Sequence, residues 1–256
     1  MHISIISDKK EKLSFVLKDG TPAIANALRR TIMDDVPTLA IEVVEVRKNS
    51  SILYDEIISH RLGLVPLKTD LKMYTVQATC SCNGEGCAKC QVIGSLKAKG
   101  PCTVYASELK FKDTAVKAAF PNLPIVKLLK NQELELEVTA VLGTGKTHTK
   151  WTPAHVYYRY APQIEIGNVK NPEAVAAVCP TDVFDSKNKK LTIKNMQACI
   201  LCGACVDKVD GEIKLNESDK EFLFFVESFG QLSSTEVVHQ ALEIIDETLT
   251  EFSSKL

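Results

Sequence analysis

The cysteines constrain this chain more than any other feature. There are nine in 256 residues: four within 80–90, three within 199–205, and Cys102 and Cys179 standing apart. No apolar run approaches the ~20 residues of a membrane helix. The amino-terminal stretch MHISIISDKKEKLSF has no apolar core of signal-peptide type. A cytoplasmic protein is therefore expected, with no membrane partner. Disulfides are rare in that compartment, so cysteines clustered in this way point to metal ligation.

The sharper pattern is Cys199-Ile-Leu-Cys202-Gly-Ala-Cys205 together with Cys179-Pro180. Bacterial ferredoxins hold a [4Fe–4S] cluster with three cysteines spaced C-x2-C-x2-C and a fourth from a distant Cys-Pro. Three thiolates on one tight loop suit three corners of a cubane, and Gly203 lets the backbone come close. A two-cluster ferredoxin would place further cysteines at Val169, Pro172 and Val175, and another at Val209. One set of ligands is therefore lost and one is intact. A [3Fe–4S] form fits the same residues, and a zinc ion held by the four thiolates is the competing reading.

The second set is Cys80-Ser-Cys82-Asn-Gly-Glu-Gly-Cys87-Ala-Lys-Cys90. Four thiolates on so short a segment, with Gly84 and Gly86 at the bend, can close a tetrahedral zinc site. The alternative is a group of surface thiols, which would be open to oxidation. Cys102 has no cysteine neighbour and reads as a small buried side chain.

Apolar periodicity supplies the frame. His2–Ser7 and Lys12–Leu17 alternate as two strands. Thr21 and Pro22 open a helix, as N-cap and first helical residue. Ile24, Leu28 and Ile32 line one of its faces, and Pro37 stops it. A strand over Leu39–Val46 follows, then an amphipathic stretch from Asp55 to Leu62 that closes on Gly63 as a C′ residue. Tyr74–Ala78, Thr103–Ala106 and Glu133–Leu142 are further strand candidates.

Near the far end, EFLFFVES over 221–228 is a strongly apolar strand, and Ser233 with Glu236 forms a capping box. Val238, Leu242, Ile245 and Leu249 then line one face of a long last helix. The first and last strands and helices make one α+β layer, split by everything between them. A sheet of so few strands can hardly cover both helical stripes, so a partner subunit is expected on Ile24, Leu28, Ile32, Val238, Leu242, Ile245 and Leu249.

Net charge is −1. That gives no basic field for gripping DNA, and no direct sequence-specific DNA contact is expected. Gly143-Thr-Gly145-Lys146-Thr147 lacks the glycine of a phosphate loop at Ala140. His60 and His148 lack metal-type spacing, and no carboxylate cluster suits a two-metal polymerase site. No catalytic residue is assigned.

NALRRTIMDDVPTLAIEVVEV followed by HRLGLVPL closely resembles the signature of the alpha-like subunits of multisubunit RNA polymerases. FLFFVESFG and GTGKTHTKW resemble that family too. The ferredoxin-like insert resembles the archaeal, D-type branch of the family, and the 80–90 loop is similar to the zinc loop of the eukaryotic third-largest subunit. The resemblance covers essentially the whole chain. It implies an α+β fold: a dimerisation domain over 1–38 and 215–256, split by a β-rich insert domain over 39–165 and a ferredoxin-like iron–sulfur domain over 166–214. It implies a non-catalytic assembly platform that pairs with the small subunit L and docks the large catalytic subunits and subunits N and P. The competing class is a one-cluster ferredoxin-like redox protein fused to a binding domain, but the chain has no flavin or nicotinamide fingerprint.

Overall fold

The computed structural model describes residues 1–187, 190–209 and 211–256. Strands β1 (His2–Lys9) and β2 (Lys12–Lys18) come first, then helix α1 (Pro22–Asp34). The expected cap is in place: Thr21 Oγ1 accepts the Ile24 N–H at 3.3 Å. Next come β3 (Thr38–Asn49), α2 (Asp55–Gly63), β4 (Gln91–Lys99), β5 (Cys102–Tyr105), β6 (Lys110–Phe111), β7 (Pro124–Leu128), β8 (Glu133–Gly143) and β9 (Ala154–Ile166). Then follow α3 (Pro172–Val178), β10 (Phe184–Lys187), β11 (Lys190–Ile193), α4 (Ala204–Asp207), β12 (Ile213–Ser228) and α5 (Ser234–Ser254).

The strands form two four-stranded sheets, ordered β1-β2-β12-β9 and β3-β8-β4-β6, and two ribbons, β5-β7 and β10-β11. This order places β9 beside β12. The expected insert runs to 165, whereas Ala154–Ile166 pairs in the first sheet with the terminal strands.

The chain divides into two compact units. One holds 1–7, 14–26 and 157–225, and the other 8–13, 27–156 and 226–256. In the first unit, aromatic rings order the sheet. Phe15 stacks on Phe224 at 4.9 Å, and Tyr158 meets both Phe224 and Phe222 at 5.2 and 5.7 Å. Phe15, Phe222 and Phe224 are fully buried. Val16, Ala161 and Leu223 bury as a separate group with Phe225 against it.

The second unit is built on an antiparallel sheet. β3 and β8 pair from Thr38–Gly143 to Asn49–Leu134, and β8 pairs on its other edge with β4. The inward face gives Leu39, Ile41, Val92, Leu96, Leu136 and Val138 to a large core that also takes Ile58 and Leu62 of α2. The outward face carries cross-strand ion pairs: Arg47–Glu137, Lys48–Glu133, Lys97–Glu135 and Lys99–Glu133. Exposed pairs of this kind each contribute ~1 kcal/mol at most.

Two local expectations are corrected. Gly63 is the last residue of α2 and does not adopt the left-handed conformation. Leu64, in the right-handed region, ends the helix with its N–H on the carbonyls of the last turn. Tyr74–Ala78 is not a strand. It holds an irregular path into a single 3-10 turn at Gln77–Thr79, with backbone groups spent on turns: Tyr74 N–H donates to the Asp70 carbonyl at 3.3 Å and Thr79 N–H to the Val76 carbonyl at 3.1 Å. Tyr74 Oη donates to Asp113 at 2.5 Å, and the Thr75 N–H donates to the Lys89 carbonyl at 2.8 Å.

The Gly-Thr loop after β8 is a packing device. A Cβ on Gly145 would lie 2.0 Å from the Met33 carbonyl oxygen, and one on Gly143 2.4 Å from the Trp151 ring. Trp151 is held in turn: its Nε1 donates to the Val141 carbonyl at 3.2 Å, and its carbonyl accepts from Thr38 Oγ1 at 2.7 Å. These glycines serve close backbone approach, in keeping with the rejection of a phosphate loop there.

Candidate metal centres and docking surface

The loop from Cys80 to Cys90 turns through Asn83, Gly84 and Gly86, all in the left-handed region. This reversal brings the two cysteine pairs face to face. The four Sγ atoms all lie within 4.8 Å of one another. Cys80 and Cys87 stand 3.6 Å apart, Cys82 and Cys90 3.6 Å, and Cys87 and Cys90 3.9 Å. A tetrahedral ion with metal–sulfur bonds of about 2.3 Å sets its ligand sulfurs about 3.8 Å apart, so the arrangement fits one metal ion. Cys80 and Cys90 are buried, Cys82 and Cys87 half-buried.

The thiols are not alike electrically. The Cys82 backbone N–H, followed by the Thr75 side chain, lowers Cys80 to about 6. Backbone donation from Gly86 lowers Cys82. Burial pushes Cys90 up to about 12, although the Cys87 N–H donates to its sulfur at 3.2 Å. A cation at the centre would favour all four thiolates together.

Among the described residues, the 80–90 thiols form the group gathered closely enough to hold a single metal ion, and the second cysteine set is not such a group. Yet Cys199 and Cys205 are buried in one small core with Val175, Val183, Phe184 and Ile213, and Cys179 packs against it. The thiolate charges of Cys199 and Cys179 add to burial, the largest effect, in raising Cys205. Cys202 is exposed.

Leu201 and Gly203 are both left-handed, which curls the Cys199–Cys205 segment. Backbone amides point at sulfur: Val183 N–H donates to Cys179 at 3.4 Å and Leu201 N–H to Cys199 at 3.5 Å. The positions of a lost second ligand set are apolar packing. Pro172 and Val175 are buried, and Val169 and Val209 lie against the same core.

The structure divides the residues assigned to partner binding. Leu28 is 2% exposed, Ile32 0% and Val238 7%, so these three belong to the core of this chain and correct the expectation that they face a partner. Helical periodicity cannot tell a stripe buried at home from one buried elsewhere. Ile24, Leu242 and Leu249 are exposed, Ile245 is half-buried, and Phe252 continues the open stripe of α5 at 63%. Cys102 is only half-buried, and its Sγ donates to the Lys99 carbonyl at 3.5 Å. Among the described residues, no helix is long and apolar enough to cross a membrane.

One contributor escaped sequence reasoning. Arg159 on β9 donates to the Gln197 carbonyl at 2.5 Å, in the turn just before Cys199, and its guanidinium lies 5.1 Å over the Phe225 ring. Nothing local in the sequence pairs positions 159 and 197.

Comparison with known proteins decides the family. The family described as "RNA polymerase Rpb3/RpoA insert domain" matches residues 43–155. The DNA-directed RNA polymerase subunit Rpo3 of Archaeoglobus fulgidus is 39% identical over 246 residues, 95% of this chain and 93% of that protein. The chain belongs to the Rpo3 family of RNA polymerase subunits. Rpo3 of Methanosarcina acetivorans is 37% identical over 96% of this chain and 94% of its own length. Rpo3 of Picrophilus torridus is 35% identical over 99% of each. The matched insert domain contains the whole second sheet apart from the start of β3, and the four-cysteine group at 80–90, which could hold a metal ion, lies inside it.

Proposed function

We propose that this chain is the non-catalytic assembly platform of a cytoplasmic DNA-dependent RNA polymerase, the archaeal D type of alpha-like subunit. In this reading it pairs with the small subunit L and then docks the large catalytic subunits and the small subunits N and P. One observation carries it: a member of this family leaves Leu242, Leu249 and Phe252 exposed along one helix, at 40%, 62% and 63%. Side chains of that size in a row are covered in a finished assembly. Ile245 adds to that helix face, and Ile24 of α1 is a further exposed apolar side chain for a partner to cover.

The domain reading is a dimerisation domain of the terminal segments, an insert domain, and a ferredoxin-like domain over 166–214. One structural zinc at Cys80, Cys82, Cys87 and Cys90 is supported by the sulfur spacing. One [4Fe–4S] cluster at Cys179, Cys199, Cys202 and Cys205 is supported by all-thiol donors in a C-x2-C-x2-C plus Cys-Pro pattern and by amide donors to sulfur. Both groups stabilise local folding where few apolar side chains are available. The residues of this chain bind and position other subunits and hold no reacting atom.

The test is co-expression of the full chain with subunit L, followed by light scattering and metal analysis. The native chain is expected as a one-to-one pair with about one zinc. Leu249→Asp places a charge on the covered stripe and should leave both proteins unpaired. A monomeric native chain indifferent to subunit L, or a Leu249→Asp pair as tight as the native one, would overturn the platform reading.

A further inference from the structure

We propose that the 80–90 loop is a site of oxidative modification, at which a peroxide exchanges the metal for two crossed disulfides, Cys80–Cys87 and Cys82–Cys90. The loss of metal rests on the zinc reading above, whereas the pairing of the thiols does not. The sulfurs of each pair stand 3.6 Å apart, and those of Cys87 and Cys90 3.9 Å. A disulfide is about 2.05 Å long, so each sulfur moves by less than about 1 Å to form it.

The two pairs are built alike. Cys82 and Cys87 are half-buried, and each has a buried sulfur, that of Cys90 or Cys80, at 3.6 Å. The bend between them is open. Asn83, Gly84 and Glu85 are exposed, and a Cβ on Gly84 would meet nothing within 4 Å. A small oxidant therefore reaches the two outer thiolates first, and the two inner ones are placed to resolve them. The crossed order also preserves the loop. It ties Cys80 and Cys82 to Cys87 and Cys90 across the bend, as a bound ion does. Pairing Cys80 with Cys82 and Cys87 with Cys90 would leave the bend untied.

The chemistry follows from that access. An outer thiolate attacks one peroxide oxygen and keeps it as a sulfenic acid, while the other oxygen leaves as hydroxide. The inner thiolate then attacks the oxidised sulfur, forms the S–S bond and expels a second hydroxide. For the whole loop, four thiolates, two molecules of hydrogen peroxide and four protons give two disulfides and four waters. Four electrons pass from sulfur to oxygen, and the divalent ion leaves with its charge unchanged. A dithiol reductant with Zn2+ reverses the exchange.

The experiment uses the full native chain handled without chelator, with Cys82→Ser and Cys90→Ser beside it. Hydrogen peroxide is added in steps, and zinc release is followed with a chromogenic chelator. Cleavage after Glu85 and after Lys89 separates Cys80 and Cys82 from Cys87, and Cys87 from Cys90, before mass spectrometry. In the native chain all three fragments should be joined by disulfides as about one zinc is lost. Cys82→Ser should join the Cys80 and Cys87 fragments and leave Cys90 a free thiol. Cys90→Ser should leave Cys82 as a sulfenic acid, trapped by dimedone. If the variants do not fold, fragmentation of the joined native peptides assigns the two bonds.

A first fragment left unjoined, a Cys80–Cys90 bond, or sulfinic acid at Cys82 and Cys87 without cross-links would overturn the inference and leave the metal reading intact. A native chain free of zinc that still forms both bonds would remove the metal reading and keep the pairing.

Discussion

Single residues here are set by what lies against them. Gly145 faces a backbone oxygen of Met33 at a distance no Cβ tolerates. Gly145→Ala must move the loop or the end of α1, at a cost of about 1–3 kcal/mol. That corresponds to a fall in melting temperature of several degrees for a chain of this size, readable by calorimetry. Glu133 is set electrically. A hydrogen bond from Lys48, then one from Lys99, lowers its carboxyl from 4.5 to about 2. Its contribution is therefore complete above about pH 4.5 and is lost as pH falls towards 2. Glu133→Gln should be the less stable protein at pH 7, and the gap should narrow at pH 3, as measured by denaturant midpoints. A gap that stays constant would show that the ion pairs contribute nothing. Residue-scale chemistry was legible in the sequence where it is local. The 80–90 thiols declared themselves because their ligand spacing lies within one loop. The Tyr74–Asp113 and Arg159–Gln197 bonds did not, because their partners are 39 and 38 positions apart.

At the scale of elements, ends were more legible than faces. Thr21 and the Ser233–Glu236 box both cap their helices as their spacing requires. The stripe of α1 was legible as a stripe, but Leu28 and Ile32 turn out to be covered and Ile24 not, a difference that depends on distant chain. The segment 74–78 looked like a strand by composition, yet its Tyr74 and Thr75 N–H groups are spent on the Asp70 and Lys89 carbonyls, outside any strand ladder. Strand β9 shows how an element gains a second duty. Its Arg159 spans from the Phe225 ring to the turn that leads into Cys199. Arg159→Met keeps much of the apolar stem but removes the donor. Amide exchange at 196–199 should speed up several-fold while the amides of β9 and β12 stay protected. Exchange at 196–199 that matches the native protein would show that the turn is held without Arg159.

At the scale of the whole molecule, the small core around the second cysteine set stands on its own. Its buried members are Ile164, Val175, Val183, Phe184, Leu191, Cys199, Cys205 and Ile213. Two of these eight are proposed ligands, so removing the cluster takes away both a cross-link and the reason those thiols lie inside. Cores this small rarely hold without a staple. Among the described residues, the large core that holds Leu39, Leu96 and Leu136 contains none of the proposed cluster ligands. Loss of the cluster should therefore stay local. Cys199→Ser is expected to lose its iron and to become sensitive to protease between about 166 and 214, with the remainder resistant. Pairing through the exposed face of α5 should persist, because Leu242 and Leu249 lie far along the chain from that core. Attachment of the large subunits should weaken, since a segment that has lost its order must regain it on binding. Limited proteolysis followed by pull-down against subunit L and against the large subunits separates these outcomes. If Cys199→Ser no longer pairs with subunit L, the cluster supports the platform itself, and the view of the iron–sulfur region as a separately folding insert is wrong.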